Sequence, residues 1–108
     1  MRHLPAPIAA YVRAANTNDT LALAACFTAD AVVRDEAQSH FGIAAIAAWQ
    51  SGANRRYHPT VEASRIEGAD QNYLMHARVT GDFPGSPVML AYRFVLRGDR
   101  IASMEISA

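Results

Sequence analysis

The chain has no lysine: all ten of its basic residues are arginines, and ten acidic residues balance them to a formal net charge of zero. Without a lysine amine there is neither Schiff-base chemistry nor a lysine general base. Without a basic excess, nothing drives counterion release from a nucleic-acid backbone or holds the chain to an anionic membrane. Cys26 is the single cysteine, which excludes an internal disulfide and a thiolate metal cluster. It stands in the apolar run LALAACF, where a thiol is read as buried and inert. No apolar run approaches the ~20 residues of a membrane span, and the opening MRHLPAP lacks the apolar core of a secretion signal. A cytoplasmic location is the expectation. His3, His40, His58 and His76 show no zinc-type spacing, and phosphate-loop, dinucleotide and G-x-S-x-G motifs are all missing, so neither metal nor cofactor is expected.

What is present is a globular composition. Hydrophobic residues make up 51% of the 108 and charged residues 19%, with no repeats and no linker, so residues 1–108 read as one domain. Pro7 suits the first turn of a helix in which Ile8, Tyr11, Val12 and Ala15 share a face. Asn16 to Asp19 breaks that pattern, and Asn18 or Asp19 caps a second helix running to about Phe27. Ala31 to Asp35 reads as a short strand, with a turn around Gln38 and Ser39. Gly42 opens a third helix with an Ile43, Ile46, Trp49 stripe. Four strands follow, at His58 to Glu67, Asn72 to Thr80, Val88 to Arg97 and Ile101 to Ile106, separated by turn-rich segments.

Three helices followed by consecutive strands predict an α+β domain with the helices on one face of a mostly antiparallel sheet. The strand at Val88 to Arg97 alternates cleanly. Val88, Leu90, Tyr92, Phe94 and Leu96 fall on one face, and Met89, Ala91, Arg93, Val95 and Arg97 on the other. Met89 and Val95 leave apolar character on the second face, which needs cover of its own. A homodimer through this outer face of the sheet is therefore expected.

The order of the first half is the most specific signal. The helix tyrosine Tyr11, the N-D-x-L run at Asn18 to Leu21, F-x-x-D-A at Phe27 to Ala31 and G-x-x-A-I at Gly42 to Ile46 resemble one branch of the nuclear transport factor 2-like superfamily. That branch contains the SnoaL-like proteins and the ketosteroid isomerases. The resemblance implies a cystatin-like fold in which three N-terminal helices pack on a curved sheet that forms a cone-shaped pocket. In the isomerases a helical tyrosine donates to the developing enolate oxygen, and a strand-end aspartate shuttles the proton. Tyr11 and Asp35 fall on those positions. The isomerases' second donor, a protonated aspartic acid, falls on Leu90 here, a departure that counts against steroid isomerisation. A carboxylate buried in such a pocket would have its charged form disfavoured, which makes it a better base.

Each candidate also has a plainer reading. Tyr11 reads equally as a core tyrosine bonded to a carbonyl, and Asp35 as a turn cap or a partner of Arg34, Arg55 or Arg56. Glu36 alternates to the opposite side as a surface residue. His40 follows closely enough to return over the pocket mouth as a proton carrier, or it is a surface turn residue. Phe41, Trp49, Leu90 and Tyr92 read as pocket wall; His76 lines either the pocket or the dimer face. Arg55 and Arg56 resemble an anion clamp, although a helix C-terminus favours positive charge anyway. Phe83 to Pro87 either rims the cavity or blocks a sheet edge. The functional expectation is a cofactor-independent isomerase, cyclase or dehydratase working on a small apolar carbonyl compound. The alternative is a non-catalytic small-molecule binder or an accessory dimer on the same fold.

Overall fold

The structure, a computed structural model, describes residues 3–108. Helix α1 spans Ala6–Asn16 and α2 Thr20–Ala25, strands β1 and β2 span Phe27–Asp35 and Gln38–Phe41, and α3 spans Gly42–Tyr57. Strands β3 Thr60–Ala69, β4 Asn72–Thr80, β5 Val88–Arg97 and β6 Arg100–Ser107 follow. Pro7 does sit in the first turn of α1, and the Asp19 side chain accepts from the Ala22 amide as the N-cap of α2. The second helix stops at Ala25, two residues short of expectation, because Phe27 already belongs to β1 and is buried beneath the helices. Tyr57 closes α3, and His58 terminates it in the left-handed conformation (φ 47°), so β3 begins only at Thr60.

The six strands form one mixed sheet in the order β2-β1-β6-β5-β4-β3. Only the β1–β6 pairing is parallel; the others are antiparallel. The expectation of a cone-shaped pocket is wrong. The strands at the two ends of the order, β2 and β3, are edges with no bond between them, so the sheet stays open and does not curl round on itself. At the β3 edge the Asn16 side chain from the end of α1 does what a neighbouring strand would do. Its amide donates to the Val61 carbonyl and its carbonyl accepts from the Val61 amide, both at 2.8 Å.

The core lies between the inner face of the sheet and the helices. Ile8, Tyr11, Leu23, Phe27, Ile46, Met75, Phe94, Ile101 and Met104 are its large buried members. Strand β5 alternates as the sequence pattern requires, with Tyr92, Phe94 and Leu96 buried and Arg93, Val95 and Arg97 exposed. Met89 is 52% and Val95 38% exposed on the outer face. Among the described residues no helix is long and apolar enough to cross a membrane.

Candidate functional site

The site begins with the alternation of β1. Ala31 and Val33 are buried, and Asp35, next on the same side, is half-buried where the strand ends. Beyond it Glu36 and Ala37 take left-handed backbone angles (φ 53° and 63°), turning the chain into β2 so that Asp35 pairs with Gln38. That two-residue hairpin turn normally draws Asn-Gly or Asp-Gly, which accept such angles at little cost. Here Glu-Ala accepts them beside the candidate site, and both residues line the cavity.

Asp35 opens onto a cavity of about 650 Å³ bounded by α3, the inner face of the sheet and the β4–β5 loop. Tyr11, Trp49, Leu90 and Tyr92 share its wall. The Trp49 indole nitrogen donates to Asp35 Oδ2 at 3.1 Å, fixing the carboxylate from the helix side. Tyr11 is caged by aromatic rings, edge-on to Phe27 and Phe94 at 6.2 and 6.0 Å and tilted against Tyr92 at 6.3 Å. Burial, then the charges of Tyr92 and Asp35, push the Tyr11 phenol well above its ordinary range, so it stays a neutral donor. Burial and Asp35 push Tyr92 the same way.

The structure brings Tyr11, Asp35, Trp49, Leu90 and Tyr92 together and leaves three expected residues out. Phe41 is 70% exposed, at the end of edge strand β2 just before α3, and does not line the cavity. His76 lies on the outer face, out of phase with buried Met75 and Ala77, where its Nε2 meets Arg65 Nη2 at 3.2 Å and Glu67 Oε1 at 3.9 Å. His40 pairs opposite Val33 in the β1–β2 ladder and lays its ring against Trp49, centroids 5.9 Å apart, without joining the cavity lining. Asp35 pairs with none of Arg34, Arg55 and Arg56; the last two are exposed at the end of α3.

The Phe83–Pro87 segment rims the cavity, which Phe83 and Pro84 both line. It is docked on the end of α3: the Asp82 amide donates to the Tyr57 carbonyl at 2.6 Å, His58 Nδ1 meets Asp82 Oδ2 at 3.0 Å, and the Phe83 ring stands edge-on to Tyr57. Gly81 makes that approach feasible, since a Cβ there would lie 2.6 Å from the Tyr57 carbonyl oxygen.

Sequence reasoning missed several lining residues, of which Gln50 is the buried polar one. Gln50 is only 5% exposed, its Nε2 donates to Asn54 Oδ1 at 2.9 Å, and its Oε1 has no partner among the described residues. It lies four residues after Ile46 and seven after Ile43, on the same face as the apolar stripe, so helical spacing alone turns it toward the core although its amide is polar.

Helices on one face of an open six-stranded sheet, with a cavity between, are a fold this chain shares with solved nuclear transport factor 2-like proteins. Residues 8–104 match the SnoaL-like domain, and the chain belongs to that family. Its structure is similar to that of a candidate polyketide cyclase from Sinorhizobium meliloti, at 39% identity over 96% of this chain and 95% of that one, with a TM-score of 0.94. A protein with a ketosteroid isomerase-like fold from Catenulispora acidiphila, crystallised with trimethylamine, shares 21% identity over 98% and 87% of the two chains (TM-score 0.87). A cystatin-fold protein from Novosphingobium aromaticivorans shares 19% over 94% and 95% (TM-score 0.79). No curated protein matches.

Proposed function

We propose that the chain is a cofactor-independent acid–base enzyme acting on a small, largely apolar carbonyl compound, with Asp35 as proton carrier and Tyr11 as hydrogen-bond donor to the carbonyl oxygen. The observation that carries this reading is the common cavity: the Asp35 carboxylate, held by Trp49, and the buried neutral phenol of Tyr11 line the same largely apolar space. Trp49 occupies one carboxylate oxygen and leaves the other for the substrate's proton. Isomerisation, aldol-type cyclisation and dehydration all begin with proton removal next to a carbonyl. The likeness to a candidate polyketide cyclase favours cyclisation among them. In this reading His40 steadies Trp49 and carries no proton.

Asp35→Asn separates binding from chemistry. A carbonyl ligand found by thermal shift should bind the variant about as well as the parent, yet be turned over only by the parent. Unchanged turnover would sink the reading.

Leu90, which brings no polar atom to the wall, favours a second reading, a non-catalytic binder of small apolar molecules. A pure accessory module would need no cavity of about 650 Å³. We also place a second copy of the chain on the outer face, where Met89 and Val95 stand exposed among arginines. Sedimentation should show a dimer at micromolar concentration; a monomer there would reject it.

A further inference from the structure

We infer that Tyr92 is a second hydrogen-bond donor to the reacting oxygen, so that an enolate formed in the cavity is held by two phenols, Tyr11 and Tyr92, together. This rests on the proposed role of Asp35 as the base.

The two tyrosines reach the cavity from opposite layers, Tyr11 from α1 and Tyr92 from β5, and their rings stand side by side at 6.3 Å, tilted by 54°. Aromatic packing fixes both. Phe94 stacks on Tyr92 at 6.3 Å and meets Tyr11 nearly edge-on at 6.0 Å, so neither ring has room to swing. Among the described residues neither phenol hydroxyl has a hydrogen-bond partner, and Gln50 Oε1 is the one unpartnered polar side-chain atom sealed from the surface. The two hydroxyls are thus unpaired and still in contact with cavity space. A tyrosine this deep ordinarily spends its hydroxyl on a protein group. Two neighbours that both fail to do so, on the wall that also holds the carboxylate, leave room for an oxygen brought by a ligand. Both phenols are pushed above their ordinary range by burial first and by Asp35 as well, so both present O–H and neither competes as an anion. Leu90, one step back on the same face of β5, offers nothing polar, which makes the Tyr92 hydroxyl the polar group of that stretch of wall.

The chemistry balances without a further reactant. The free oxygen of Asp35 takes a proton from the carbon beside the carbonyl. The C–H electron pair becomes the carbon–carbon double bond of the enolate, and the carbonyl π pair moves onto oxygen. That oxygen accepts from both phenols, which keep their own protons, and Asp35 returns its proton to carbon in the second half. Two neutral donors to one developing charge stabilise it more than one does. The substrate class narrows accordingly, to an enolisable ketone or aldehyde whose oxygen is unhindered on both lone-pair sides.

The test uses 2-naphthol, a planar oxygen acid whose anion imitates the enolate, and Asp35→Asn protein, in which an amide stands where the protonated carboxyl would be. Binding is followed by naphthol fluorescence, with naphthalene as the oxygen-free control. Adding Tyr92→Phe should weaken 2-naphthol about tenfold or more while naphthalene changes less than about twofold, and Tyr11→Phe should do the same. If Tyr92→Phe binds 2-naphthol unchanged and only Tyr11→Phe weakens it, the second donor is overturned and the acid–base reading survives. If neither matters, both fall. Absence of any 2-naphthol binding likewise overturns the inference. So does a wild-type crystal structure with the Tyr92 hydroxyl donating to a protein group, whatever the ligand does.

Discussion

Trp49 and Asp35 are joined by a single 3.1 Å hydrogen bond that ties the middle of α3 to the last residue of β1. The two residues lie fourteen apart in sequence, with the β1–β2 hairpin between them. The bond therefore closes the hairpin onto the helix and sets the carboxylate's orientation. Trp49→Phe keeps a ring against His40 and removes only the donor. In a double-mutant cycle with Asp35→Ala, measured by urea unfolding, the coupling should be about 1 kcal/mol, that of an ordinary hydrogen bond, because Asp35 is only half-buried. A coupling indistinguishable from zero would mean the pair is no more than a contact.

Gln50 is a place where stability is given up. Its buried Oε1 lacks a partner, which costs roughly 1–3 kcal/mol, whereas its bond to Asn54 contributes about 1 kcal/mol. Gln50→Leu should leave the unfolding free energy unchanged or raise it by up to about 1 kcal/mol. A loss above that amount would show that the carbonyl is satisfied in the folded protein.

The two phenols set a limit on alkaline stability. Each ionises near its ordinary value of 10.0 in the unfolded chain and only at higher pH when folded. Above pH 10 the unfolded state thus holds fewer protons than the folded one, and stability falls by about 1.4 kcal/mol per pH unit per tyrosine. Below pH 10 the pair contributes no slope. Melting curves between pH 9 and about 12 should steepen above 10, and Tyr11→Phe and Tyr92→Phe should each flatten them. Equal slopes in all three proteins would place the hydroxyls in water.

Much of this was legible in the residues. The strict alternation of Val88 to Arg97 and the stripe along α3 stated which side faces the core, and the structure keeps both. The strand β2 was not legible: Gln38 to Phe41 is four residues long, and its turn is Glu36-Ala37, which carries none of the usual turn chemistry. Losing that strand is what misplaced His40 and Phe41. Sheet closure is also beyond local pattern, because whether edges β2 and β3 meet depends on accumulated twist and on what caps them, here Asn16 at Val61. Gln50 escaped for a simpler reason: its spacing from Ile43 and Ile46 puts it on the buried face, but a polar amide there reads as solvated when residue type is weighed above position.

The most direct test of Asp35 as a proton carrier needs no knowledge of the natural substrate. Small cyclic ketones and enones incubated with the protein in deuterium oxide should lose their α-hydrogen NMR signals faster than in buffer, since an enolate formed in the cavity takes back solvent deuterium. Wild-type protein should accelerate the exchange of at least some compounds, and Asp35→Asn should lose roughly 10²-fold or more of that acceleration. Equal exchange with both proteins would contradict that role for Asp35.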